Sequence, residues 1–190
     1  CSVTFMVPLG IAIAASTRVG NLIGANRAQD AQRSAWTALG MGVVVMAGFA
    51  ALFVLAKNHL PALYSVEPEV AAMAALVLPI AAAFQIFDGT QVIGGGILRG
   101  MATPKPIAWL NFFGYYIIGL PLTWCLAFTQ EQAKELVSYD PFEAYHQGMG
   151  LPGIWWGLAS ALLFVAVGVT LYLLRNGPAK ASRALYAETK

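Results

Sequence analysis

The sequence predicts an all-α protein, a polytopic integral membrane bundle of about five transmembrane helices. Two observations support this fold class. Only 11% of the residues are charged, against roughly 25% in soluble domains, while 58% are hydrophobic and the mean hydropathy is +0.67. Several nearly uncharged stretches also reach the ~20 residues that a helix needs to cross a ~30 Å hydrocarbon core. A soluble domain of 190 residues has too little interior to bury so much apolar surface.

The five predicted spans are joined by polar connections. The first span contains Pro8, and we expect its end, "STRVGNLIGA", to be lined by protein rather than by lipid. The third is interrupted by Asp88, the only charged residue between Val70 and Leu98. Pro79 and Pro121 lie inside spans and should kink them. The predicted spans cover residues 2–25, 34–56, 70–99, 106–129 and 153–174.

The loop charges predict the orientation. Of the 11 Lys and Arg residues, only Lys57 and Lys134 fall on one side of the predicted membrane. The positive-inside rule makes the other side cytoplasmic. The first span therefore enters the membrane from outside. We expect residues 1–175 to form a transmembrane lobe and residues 176–190 to form a polar cytoplasmic tail that frays. The cytoplasmic cations are Arg18, Arg27, Arg33, Arg99, Lys105, Arg175, Lys180, Arg183 and Lys190.

Several classes of chemistry find no support in the sequence. No Gly-rich phosphate loop with Lys-Ser/Thr is present, and His59 and His146 each lack a partner at ligand spacing. No Ser, His and Asp set falls at one membrane depth, so we expect no enzyme and no cofactor. The net charge of +2, with no basic stripe, argues against a nucleic-acid partner. Because the chain begins on Cys1 inside an apolar run, we expect it to be part of a longer polypeptide.

Asp88 is the candidate functional residue. On a helix, Gln85 and Gln91 lie about 60° to either side of it, so the three side chains form one polar face. Ala81 and Gly95 extend that face in both directions and should leave room for a bulky substrate. Such a face predicts a polar cavity that admits a substrate or a coupling cation rather than one buried ion pair.

The predicted depth of Asp88 makes its charge expensive. Arg99 marks the cytoplasmic end of the span, which places Asp88 roughly 17 Å deep, near the bilayer midplane. A charge there costs at least about 2.5–3.5 kcal/mol, so it is usually paired, protonated or exposed to a water-filled cavity. We expect Arg18, only nine residues before Arg27, to extend its side chain to the inner interface. Arg18 and Arg99 are thus predicted to have structural or interface roles.

Three stretches carry a resemblance to a known family. "MVPLGIAIAASTRVGNLIGA" precedes "IFDGTQVIGGGILRGMATPKPIAWLNFFGYYIIGLPL", and "GLPGIWWG" opens the last span. In their order and spacing they resemble the C-terminal half of the multidrug and toxin extrusion (MATE) transporters, over nearly the whole chain. The resemblance implies twelve helices in two six-helix lobes, of which this chain supplies helices eight to twelve.

The resemblance also implies a function. Such proteins export amphipathic, often cationic organic compounds in exchange for Na⁺ or H⁺, so Na⁺ at Asp88 is the only metal expected. The acidic residue of the family's tenth helix falls on Asp88, where it is associated with cation coupling. Its acidic partner in the seventh helix has no counterpart here. The implied partners are small-molecule organic substrates, the lipid bilayer of the plasma (inner) membrane and the missing N-terminal lobe.

Two other functions are compatible with the same residues. A lipid-precursor flippase of the same superfamily would line its cavity with more basic residues, and only Arg18 and Arg99 qualify here. In a non-transporting membrane subunit with a structural or assembly role, Asp88 would pair statically with another protein. An intramembrane enzyme would need a second catalytic group at the depth of Asp88, and the sequence offers none.

Overall fold

A computed structural model of the chain describes residues 2–57, 59, 68–127 and 150–187. Every regular element within these ranges is helical, which confirms the all-α prediction. Five helices are long and apolar enough to cross a membrane, as predicted. The predictions that fall on His146, Lys134 and the rest of residues 128–149 lie outside the described part of the chain.

Six helices follow one another along the described residues. α3 contains Pro79, and α4 is π-helical over Phe113–Gly119, between two α-helical segments. α2 begins before residue 34, the predicted start of this span. Its first turns include Asp30 and Arg33, and hydropathy does not detect turns that are this polar. Hydropathy marks the lipid-facing part of a helix, not its whole length. The helices are α1 (Ser2–Gly24), α2 (Ala28–Leu55), α3 (Pro68–Gly100), α4 (Lys105–Ala127), α5 (Gly150–Asn176) and α6 (Pro178–Ala187).

Helix α3 is the centre of the bundle and packs against α1, α2 and α5. Its glycines permit the close approach to α1: a Cβ at Gly96 would collide with the backbone of Ala12, and one at Gly100 with the backbone of Ser16. Small residues four apart let membrane helices come this close. Gly153 and Gly157 place α5 against α4 in the same way. These contacts fix the helices that surround the middle of α3.

Two apolar clusters hold the bundle together. The first contains Ile97 and Leu98 and lies at the end where α1 joins α2 and α3 joins α4. The second contains Ala81 and Phe84, together with Phe53 from α2 and Leu162 from α5. Along α3, Gln85, Asp88 and Gln91 fall between the buried members of the two clusters, while Ile86 and Phe87 pack against the second cluster. The polar face predicted from the sequence therefore occupies the gap between two packed apolar regions.

The outer surface of the bundle is apolar. Val44, Leu55 and Leu76 are 72%, 82% and 68% exposed. A soluble monomer rarely leaves so many large apolar side chains in contact with water. The lipid bilayer, or further protein within it, is the environment that suits this surface.

The expectation that the tail frays is wrong for residues 178–187. They form the amphipathic helix α6, which packs against α1 and α2. Pro178 occupies the first helical position, and the Ala179 N–H donates to Gln32 Oε1 at 3.1 Å, so a side chain of α2 caps this helix. Ser182 is fully buried. Lys180 and Arg183, by contrast, are exposed on the outward face of α6.

Candidate functional site

The predicted polar face lies in the middle of an unbroken helix. Gln85, Asp88 and Gln91 all belong to α3, and no backbone break separates them. Their exposure differs: Gln85 is 1% exposed, whereas Asp88 and Gln91 are partly open. The two glutamines bind different neighbouring helices, so the face is fixed from two sides.

Gln85 is bonded to α1. Its Nε2 donates to Thr4 Oγ1 at 3.0 Å, and the Thr4 hydroxyl lies 3.2 Å from Gln85 Oε1, within donor distance. Both side chains are buried, so this amide is shielded from solvent. A buried amide is stable only with such partners. Gln85 thus joins the start of α1 to the middle of α3.

Gln91 is bonded to α4. The Tyr115 hydroxyl donates to Gln91 Oε1 at 3.1 Å. Tyr115 lies in the π-helical segment, where the Leu120 N–H donates to the Tyr115 carbonyl, five residues back. Single π turns in membrane and soluble helices often occur at functional sites. Gly114 and Gly119 seat this segment closely on α5.

Asp88 lies between these two links and is half-buried. Among the described residues, its carboxylate forms no hydrogen bond and no ion pair. A membrane-embedded carboxylate in this state is available to a proton, a cation or a positively charged substrate.

A cation at Asp88 would need oxygen ligands from other residue types. Within the described ranges, no three His, Cys, Asp or Glu side chains come together as a metal site. Helical spacing places Gln91 one turn from Asp88, and the Gln91 Oε1 accepts a hydrogen bond from the Tyr115 hydroxyl. Carboxylate and amide oxygens are the ligand type that hard cations prefer.

The expected room beside Ala81 and Gly95 is absent from this lobe. Ala81 is 2% exposed and packed in the second cluster. A Cβ at Gly95 would already be in van der Waals contact with Ile107, at 3.5 Å. Ala81 is thus packed among residues of α2 and α5, whereas at Gly95 an added Cβ would make only an ordinary contact with α4.

The sequence does not predict two residues of the site. Thr4 and Tyr115 supply the partners of the two glutamines, from positions 81 and 24 residues away along the chain. Neither stands out in sequence, since Thr4 is one hydroxyl in an apolar run and Tyr115 is one of two adjacent tyrosines. Only the packing of the helices brings them to α3.

The two predicted arginines lie away from this site. Arg18 is exposed, and its Nε donates to Ser34 Oγ at 3.0 Å, which links α1 to α2. Arg99 is exposed in the last turn of α3, where a cation interacts favourably with the helix dipole. Within the described part of the chain, neither forms an ion pair with Asp88.

Comparison with known proteins identifies the family. The family model MatE matches residues 1–125 of the chain. This chain belongs to the MatE family. Its members are transporters rather than enzymes, and the five apolar helices agree with an integral membrane protein.

Individual relatives of this MatE chain point the same way. It is 39% identical over 171 residues to the multidrug resistance protein NorM of Burkholderia vietnamiensis, covering 87% of the chain and 33% of the relative. It is 35% identical over 174 residues to a probable multidrug resistance protein NorM of Pseudomonas aeruginosa, covering 89% and 32%. The fold matches the crystal structure of the eukaryotic MATE transporter AtDTX14 with a TM-score of 0.81 at 25% identity, over 100% of this chain and 38% of the other. The chain thus spans about a third of the length of these relatives.

Proposed function

We propose that the complete protein containing this MatE chain is a secondary antiporter that exports amphipathic, often cationic organic compounds in exchange for Na⁺ or H⁺. The chain would supply helices eight to twelve of a twelve-helix transporter. The observation that carries this proposal is the unpaired, half-buried carboxylate of Asp88 in the middle of α3. The multidrug resistance named in the relatives supports the substrate class.

The physical reason lies in the cost of the charge. A bare carboxylate at membrane depth is unfavourable, and binding H⁺ or Na⁺ removes most of that cost. An ion that binds one conformation better than another shifts the population toward it. Occupancy of Asp88 would therefore bias the conformation of the transporter, which is what coupling requires.

The neighbours of Asp88 provide a route for that bias. Gln85 links α3 to α1, and Gln91 links α3 to the π-helical segment of α4. An ion or substrate at Asp88 would therefore act on a residue whose immediate neighbours are held by two other helices. A change in charge at Asp88 would alter how α1 and α4 sit against α3.

The proposed mechanism also needs the missing N-terminal lobe, which would supply the opposite wall of the transport site. In transporters of this architecture, one half rocks against the other around a central site. This chain presents one wall of such a site. We place the protein in the plasma (inner) membrane, as the family resemblance implies, and the loop charges favour a cytoplasmic C-terminus. The same partners follow: an organic substrate, the bilayer and the N-terminal lobe.

Reconstitution of the complete protein tests this function. Proteoliposomes should move a fluorescent amphipathic cation when a Na⁺ or H⁺ gradient is imposed, and the 190-residue chain alone should not. A complete protein that responds to neither gradient would refute antiport. Export by the isolated chain would refute the need for a second lobe.

A further inference from the structure

A groove with a cationic mouth lies between α1 and α2, at the end of the bundle where the two helices are joined. Its volume is about 390 Å³, within the range of small-molecule sites. Arg18, Arg27 and Arg33 line the part of the groove nearest the connection between α1 and α2, which we call its mouth. The rest of the wall is mostly apolar and includes Ile11 and Met41. No residue of the Asp88 site lines this groove.

The positive charge of the mouth is only partly compensated. Asp30 is the one carboxylate in the lining, and it is paired with Arg27, whose Nη2 lies 2.7 Å from its Oδ2. Arg18 uses its Nε to bind Ser34. A guanidinium has five N–H donors, so the outer nitrogens of Arg18 are still available. The Arg33 side chain forms no hydrogen bond or ion pair within the described ranges.

The groove changes from cationic to apolar with depth. Arg18 lies six residues before the end of α1 and Arg33 five residues after the start of α2, so both are roughly 8–9 Å from the helix ends. Ile11 lies seven residues before Arg18 in α1, which places it roughly 10 Å further from the end of the helix. A charged zone at interface depth above an apolar wall is the polarity profile of a phospholipid.

We propose that this groove binds an anionic phospholipid. Its phosphate would lie between Arg18 and Arg33, and the start of one acyl chain would lie along the apolar wall near Ala14. Guanidinium groups pair with phosphate oxygens in a bidentate manner, which favours arginine at such a site. A free phosphate would leave the apolar wall uncovered, and a choline headgroup would bring a cation beside two arginines. The inference does not depend on the coupling role of Asp88.

Lipid binding to the complete, purified protein tests this site. Native mass spectrometry should show that phosphatidylglycerol is retained more strongly than phosphatidylcholine. The double variant Arg18→Gln/Arg33→Gln should weaken phosphatidylglycerol binding by about tenfold or more, since two charge-assisted hydrogen-bonding groups are lost. Arg175→Gln is the matched control, because Arg175 is an exposed arginine outside the groove and should leave binding unchanged.

A second variant covers the case in which the double variant does not fold. Ala14 is exposed and lines the groove, so Ala14→Phe should be tolerated and should block the acyl chain while all three arginines stay in place. It should also weaken phosphatidylglycerol binding. Equal retention of the two lipids, full retention by the arginine variant, or displacement by millimolar inorganic phosphate with no effect of Ala14→Phe would overturn the proposal.

Discussion

The Tyr115 hydroxyl donates a 3.1 Å hydrogen bond to Gln91 Oε1 and so joins the π-helical segment of α4 to the polar face of α3. The bond lies one helical turn from Asp88, on the side opposite to the Gln85–Thr4 link. Any ligand of Asp88 would therefore meet a face whose two flanking amides are already oriented.

Removal of the Tyr115 hydroxyl should impair transport more than it impairs stability. Tyr115→Phe deletes one hydrogen bond, and such bonds in membranes average about 0.6 kcal/mol. We expect a small fall in the melting temperature of the complete protein and a clear loss of gradient-driven export. Tyr116→Phe is the matched control because Tyr116 is exposed and its ring packs on Phe112. If the two variants export equally well, the Tyr115–Gln91 bond has no part in coupling.

Loss of the Thr4 hydroxyl should destabilise the protein. Thr4→Val keeps the shape of the side chain but leaves the buried Gln85 amide without this partner, which costs about 1–3 kcal/mol. Thr17→Val is the control, since the Thr17 hydroxyl is exposed and, among the described residues, binds only the Ile13 carbonyl of its own helix. Thermal unfolding in detergent should show a lower midpoint for the first variant alone. Equal midpoints would mean that Gln85 finds another partner.

Substitution by alanine should change the stability of the protein differently at two glycines. A Cβ at Gly96 would meet the Ala12 backbone, which cannot move aside cheaply, so Gly96→Ala should destabilise by about 1–3 kcal/mol. A Cβ at Gly48 meets no atom within 4 Å, and alanine is the better helix former by up to about 1 kcal/mol, so Gly48→Ala should be neutral or stabilising. Unfolding midpoints of both variants decide the matter. A stable Gly96→Ala protein would show that α1 and α3 are not held at this distance.

The orientation of the chain is open to chemical labelling. In a background without Cys1 and Cys125, a cysteine at Ala133 should react with an impermeant maleimide from outside, and one at Lys180 should be protected until the membrane is opened. Lys180 is suitable because it is exposed on α6. The opposite labelling pattern would reverse the assignment of the cytoplasmic side.

The sequence predicts the features of this protein that depend on local pattern. Hydropathy locates the five spans, and helical spacing places Gln85 and Gln91 beside Asp88. The hydrogen-bond partners could not be predicted, because Thr4 and Tyr115 reach α3 only through tertiary packing. The same is true of α6, whose N-terminal cap Gln32 lies 147 residues from Ala179. Polar composition alone suggested a frayed tail there.

The surroundings of the small residues Ala81 and Gly95 could not be predicted from the sequence either. Spacing correctly placed Ala81 and Gly95 on the face of Asp88, but whether a small side chain borders a cavity or a neighbouring helix depends on the packing around it. In this lobe both are in contact with other helices. A cavity for the substrate would therefore be formed between the lobes rather than within this one.

The Asp88→Asn variant of the complete protein removes the carboxylate on which the proposed coupling depends. The asparagine keeps the size and hydrogen-bonding capacity of the side chain but cannot carry a charge or bind a proton, so folding and insertion should be retained. Glu135→Gln removes a carboxylate from the sequence outside the predicted spans and serves as the control. We predict that Asp88→Asn abolishes export driven by a Na⁺ or H⁺ gradient in proteoliposomes, while Glu135→Gln exports like the unaltered protein. Normal gradient-driven export by Asp88→Asn would contradict the account and make this carboxylate structural.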